Sequence, residues 1–178
     1  AFEELVSELS SRFVNVSADA VDREIEEALR RVCEPLELDF SVLWQWSTLD
    51  PTVIVPTHVY LAPQEARSNE PIRQESFPWV ESEIRAGRTV ILPSMESFPP
   101  EGAIDRESAL RLGLRSNLTI PLAAGGEPPV GALAFNTVQA PRDWPDSIVR
   151  RLQLIAQVFT NALARRRHEI DLRESRER

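Results

Sequence analysis

The stretch SNLTIPLAAGGEPPVGALAFNT, residues 116–137, constrains the fold more than any other. Leu118, Ile120 and Leu122 alternate with Asn117, Thr119 and Pro121, the period of a strand with one buried face. GALAFNT forms a second strand-like run. Between the runs, Gly125 and Gly126 permit the positive φ of a tight loop, so the pair reads as a β-hairpin. Gly131 opens the second run and leaves room for close backbone approach. These residues build scaffold and perform no chemistry.

A second hairpin lies upstream. DFSVLWQWS alternates Phe40, Val42, Trp44 and Trp46 against Ser41 and Gln45, as a half-buried strand does. TVIVPTHVYL is its partner across the turn at Leu49, Asp50 and Pro51. Pro56 makes this partner an edge strand or a bulged one. A third, short strand is TVILP.

Helical spacing marks the remaining elements. Phe2, Leu5, Val6, Leu9 and Phe13 line a first helix. Val21, Ile25, Ala28, Leu29, Val32 and Leu36 line a second, with Ser17 as its expected N-cap and Pro35 expected to end or distort it. Residues 62–74 read as an exposed loop. SFPWVESEIRAG predicts a short helix capped by Ser76 or Phe77, with Pro78 in its first turn and Gly87 as its stop. SMESFPPEGAI is an irregular connection, and Asp105 is expected to cap a short helix ending near Gly113. Trp144 and Pro145 start a long helix with Ile148, Leu152, Ile155, Phe159 and Leu163 on one face.

The order is α-α-β-β-α-β-α-β-β-α, an α+β (α/β) fold. It predicts a mainly antiparallel sheet of about five to six strands. The long first, second and last helices cover one face, and short helices and loops cover the other. With 178 residues, 42% hydrophobic and 27% charged, the chain suits one globular domain with additional helix. The net charge of −8 argues against nucleic acid or an anionic membrane as partner. Cys33 stands alone, so no internal disulfide or Cys-rich zinc site forms. No apolar run is long enough to span a membrane and no signal-peptide pattern opens the chain, which sets the expectation of a cytoplasmic protein. The chain starts inside a helical pattern and stops in RRRHEIDLRESRER, as a piece of a longer protein would.

Within GLRSNLTIPLAAGGEPPVGALAFNT, the positions Gly113, Arg115, Ser116, Pro121, Leu122, Gly131 and Leu133 resemble the hairpin pattern of the GAF domain, a small-molecule sensing and signalling module. The segment from Trp144 through LQLIAQVFTNALARR resembles the GAF closing helix. LRESRER is similar to the connector that often joins a GAF domain to a PAS domain in bacterial sensor histidine kinases. The resemblance implies a GAF sensory domain over residues 1–165 and the start of a charged connector over 166–178. It implies a homodimer through the N- and C-terminal helices, a downstream PAS or kinase domain, and coupling of pocket state to helix geometry. The fragment itself is then no enzyme, and the longer protein is a histidine kinase of a two-component system. The alternative is a ligand-free dimerisation or spacer module with a closed pocket.

The resemblance also implies a pocket between the sheet and the short middle helices. Its candidate residues are Trp46, His58 and Tyr60 on the first hairpin, Phe77 and Trp79 on the middle helix, and Ser116, Asn117, Thr119 and Asn136 on the last hairpin. Against this stands the plainer reading, in which the aromatics are core and the polar residues cap turns or face water. No catalytic or metal site is expected, because no Ser-His-Asp set, phosphate loop or metal spacing occurs.

The cofactor is left unknown. Haem through His58 is set aside in favour of a polar residue on a half-exposed edge strand. A bilin attached through Cys33 is set aside because Glu34, not His, follows it and its helix face is apolar. The Asn-Lys-Phe-Asp-Glu signature of cyclic-nucleotide-binding GAF domains is missing. His168 precedes Glu169 as in phosphoacceptor helices, but the Leu-Arg-Thr-Pro continuation is absent, so it reads as a linker histidine.

Overall fold

A computed structural model of the chain describes residues 2–66 and 75–177. The helices are α1 (Phe2–Phe13), α2 (Val21–Leu36), α3 (Pro63–Ala66), α4 (Pro78–Arg85), α5 (Ala103–Arg111) and α6 (Asp146–Glu177). The strands are β1 (Phe40–Trp46), β2 (Ile54–Leu61), β3 (Val90–Leu92), β4 (Ser116–Leu122) and β5 (Gly131–Thr137). They form one five-stranded sheet in the order β2-β1-β5-β4-β3, and every pairing is antiparallel. The expected exposed loop at 62–74 opens instead with the single turn α3, and its residues 67–74 lie outside the described residues.

Helices α1, α2 and α6 cover one face of the sheet. Leu118, Ile120 and Leu122 of β4 and Leu133 and Phe135 of β5 pack there against Ile25, Leu29, Leu152, Ile155 and Phe159. The rings of Phe13 and Phe159 meet with centroids 5.5 Å apart, joining α1 to α6. Strand alternation sends the neighbouring residues to the opposite face, which carries α4, α5 and the connections around them.

Two local features depart from expectation. Ser17 makes no side-chain cap; a 3-10 turn at Ala18–Ala20 leads into α2, with the Ala20 amide donating to the Ser17 carbonyl. Pro35 does not end α2 but sits in its last turn. The helix stops two residues later, where Glu37 adopts φ 55° and donates its amide to Cys33 and Glu34 carbonyls.

The close approach expected at Gly131 is real. A Cβ there would lie 1.9 Å from the Trp44 carbonyl oxygen, so only glycine lets β5 sit against β1 at that register. Next to it, the β1–β2 pairing slips: Leu43 pairs with His58, whereas Trp44 pairs with Pro56, leaving Thr57 as an extra residue. Pro56 therefore lies on an edge strand that is also bulged. The slip reverses the facing of β2 beyond the bulge.

Candidate functional site

Between the sheet and α4–α5 lies a cavity of about 460 Å³. Val42, Trp44, Ala132 and Ala134 form its apolar floor, and Phe77, Val80, Ile84 and Phe98 face them from above. The small Ala132 and Ala134 side chains leave the room that larger residues fill on the other face.

The roof is pinned at both ends. At the start of α4, the carboxylate of Asp105, fully buried, accepts from the backbone amides of Trp79 (3.1 Å) and Val80 (2.8 Å). Asp105 was expected to cap its own helix. It instead lies inside the first turn of α5 and caps α4, whose N-cap residue Phe77 offers no hydrogen-bonding side chain. Ser108 of α5 adds a bond from its hydroxyl to the Ser76 carbonyl at 2.7 Å. At the far end, the Arg85 guanidinium stacks 4.4 Å from the Trp46 ring centre and donates to the Pro51 carbonyl.

Polar groups collect at one side of the floor. Thr119 Oγ1 donates to Asn117 Oδ1 at 2.7 Å, and Asn117 Nδ2 donates to Asn136 Oδ1 at 2.7 Å. The relay ends at the Asn136 amide, which is 3% exposed and donates to no group among the described residues. Asn136 lines the cavity, so its amide is a hydrogen-bond donor beside that space. Glu65, Glu75, Glu81 and Arg111 stand around the same space. Glu75 accepts from Arg111 at 3.2 Å. Burial, and then the nearby Asp39 charge, push the Glu65 carboxyl up from the usual range.

Of the expected site residues, Phe77, Asn117, Thr119 and Asn136 line this cavity together. Trp46 does not line it: its ring lies under the Arg85 guanidinium, and its buried indole N–H has no partner among the described residues. Trp79 does not line it: its ring packs edge-on against Phe98, with Gly102 beneath. Ser116 faces the helix layer, its hydroxyl 2.5 Å from that of Thr137. The β2 bulge turns His58 and Tyr60 to that layer too. Neither lines the cavity, and His58 is not a half-exposed edge residue but 2% exposed. Tyr60 borders a second, more open recess of about 560 Å³, with Cys33, Asp39 and Arg142. Phe40, Trp44, Phe98 and Arg111 are cavity residues that sequence reasoning missed. Phe40 and Trp44 share the alternation that singled out Trp46, which was the available signal.

The model of the GAF domain family matches residues 21–163. The chain belongs to the GAF domain family. GAF domains are sensory and regulatory signalling modules, commonly combined with other domains, and they can bind small ligands. No curated protein matches the sequence. Among solved structures, the GAF domain of Thermosynechococcus elongatus PixJ, in its blue-light absorbing form, is similar with a TM-score of 0.67 at 19% identity, covering 91% of this chain and 96% of that one. The GAF domain of a protein described as a sensor histidine kinase from Pseudomonas syringae pv. tomato gives 0.60 at 15% identity, covering 96% and 92%. A protein solved in a far-red absorbing dark state with bound biliverdin IXα gives 0.70 at 11% identity, covering 92% and 99%.

These neighbours correct the cofactor expectation, which set bilins aside. Cyanobacteriochrome GAF domains share this chain's fold, and the far-red absorbing neighbour holds biliverdin. This GAF domain has a single cysteine, Cys33, fully buried on α2 with its thiol pushed up to about 12 by burial. Among the described residues, no group of His, Cys, Asp and Glu could hold a metal ion, and no helix is long and apolar enough to cross a membrane.

Proposed function

We propose that this GAF domain is the sensory unit of a bacterial signalling protein, and that occupancy of the cavity above the sheet sets the geometry of α6. The observation that carries the reading is the polar relay Thr119–Asn117–Asn136, which ends on an amide beside the apolar floor of the cavity. Such a site fits a largely apolar molecule that offers a hydrogen-bond acceptor at its buried edge. The domain occupies residues 1–165, and 166–178 begin a helical connector to a PAS or kinase domain. The domain does no chemistry itself; the histidine kinase of a two-component system supplies it. Two copies pair through α1 and α6, where Val14, beside the end of α1, and Leu154 of α6 are more than half exposed, at 64% and 55%. The setting is the cytoplasm.

Thermal unfolding in the presence of biliverdin IXα, haem, cyclic nucleotides and a panel of neutral aromatic metabolites tests this. A compound at a hundred times its Kd stabilises the native state by about 2.7 kcal/mol. We expect such a rise for at least one compound and its loss in Asn136→Leu. A flat response across the panel would favour a spacer with an unused cavity. Sedimentation of the domain checks the pairing: a monomer at high concentration would overturn it.

A further inference from the structure

We propose that Thr57, His58, Asp22 and Arg166 form a latch that couples the cavity wall to α6, an inference that rests on the cavity-sensing reading above. The path starts at Trp44, a floor residue of the cavity. The hydroxyl of Thr57, the extra residue of the β2 bulge, donates to the Leu43 carbonyl (3.2 Å) and accepts from Gln45 Nε2 (2.8 Å). It therefore holds the residues on either side of Trp44. The same hydroxyl lies 2.8 Å from Nδ1 of His58.

His58 has been turned by the bulge to the helix layer, where its Nε2–H donates to Asp22 Oδ1 at 2.7 Å. Asp22 lies in the first turn of α2. Its Oδ1 also accepts from the Arg166 guanidinium of α6. Arg166 follows Leu163, the last buried residue of that helix, so the latch grips α6 where it leaves the core. A displacement of Trp44 thus reaches α6 through its neighbours, the Leu43 carbonyl and the Gln45 side chain, and then through Thr57, His58, Asp22 and Arg166.

The composition of the path suits a switch better than a strut. Asp22 is 63% exposed, and an exposed ion pair contributes little to stability. One carboxylate oxygen serves two donors, a buried imidazole fixed to the sheet and a guanidinium fixed to α6. A small shift of the bulge changes how that oxygen is shared, which gives two arrangements for the cavity to bias. One residue earlier, the Arg165 guanidinium donates to the Phe13 and Val14 carbonyls, which ties α6 to the end of α1 rather than to the sheet.

The test needs no ligand. Ala132 pairs with Trp44 across β1–β5 and faces the cavity, so Ala132→Leu pushes the wall directly. Hydrogen exchange of the α6 amides beyond Leu163 is read in the full chain, with and without this substitution, in wild type, His58→Gln and Arg166→Gln backgrounds. We expect a several-fold change in exchange in the wild-type background, a loss of that change in both variants, and its return in Arg166→Lys. Ala134→Leu serves as a second wall substitution should Ala132→Leu fail to fold. An equal change in all backgrounds would overturn the latch, as would no change in wild type. Neither result touches the ligand panel above, whose outcome bears on the cavity alone.

Discussion

Leu133 and Phe135 of β5 are fully buried against the helices, while Ala132, Ala134 and Asn136, one residue out of step, face the cavity. The helix face is filled with large side chains, and polar groups on it such as Ser116 and Thr137 pair with each other, while the buried Trp144 indole N–H has no partner among the described residues. The cavity face keeps methyl groups at its centre and a hydrogen-bonded relay at its side. The same strands therefore carry a packed core on one face and a cavity on the other, because alternation lets each face be written independently. Substitutions on the two faces should accordingly separate stability from binding.

The largest effect belongs to the helix face. Phe159→Ala removes a buried ring that meets Phe13 and should lower unfolding free energy by about 3–5 kcal/mol, measured by denaturant titration. A loss below about 1 kcal/mol would mean that this face is not the main source of stability. Gly131→Ala acts on both faces at once, since its Cβ would collide with the Trp44 carbonyl. About 1–3 kcal/mol of destabilisation should come with altered ligand response, because Trp44 moves. Asp105→Ala strips the buried cap from α4 and should cost about 1–3 kcal/mol, with faster amide exchange at Trp79 and Val80. Unchanged exchange there would show that the roof is held by other contacts.

Ala134→Leu is the sharpest contrast. It fills space and should shift stability by less than about 1.5 kcal/mol while abolishing binding by any compound that the panel identifies. Strong destabilisation would erase the difference between the faces. The smallest effect concerns acid. Burial works to raise the Asp22 pKa, but the hydrogen bonds from Arg166 and His58 outweigh it and hold the carboxyl below the usual aspartate range. A lowered folded pKa contributes stability that is complete above the ordinary value of about 4 and is lost as pH falls through the folded value. Asp22→Asn should therefore flatten the acid limb of the stability curve slightly and leave the neutral region almost unaltered.

The helix layer and the β4–β5 hairpin were legible because burial itself sets their period. Leu118, Ile120 and Leu122 could face only one way once a helix layer existed. The cavity was less legible, for reasons that differ by residue. His58 and Tyr60 were misassigned because one inserted residue, Thr57, reverses side-chain facing, and a lone sequence marks the chance of a bulge at Pro56 without its position. Trp79 was misassigned because the rotation of α4 is set by Asp105, twenty-six residues away in sequence. That carboxylate looks like a local cap until the tertiary fold brings another helix start to it. Asn117, Thr119 and Asn136 lie on the cavity face, which the period of the hairpin makes legible.

Helix α6 runs for 32 residues, roughly 48 Å at the usual rise. Its burial ends at Leu163, so the stretch to Glu177 stands about 20 Å clear of the last core contact. That geometry is a lever. A tilt of about 5° at the core moves the tip by roughly 2 Å, the size of a change that repacks a helix interface. Length sets direction as well: one residue more or less would swing the tip by about 100° around the helix axis.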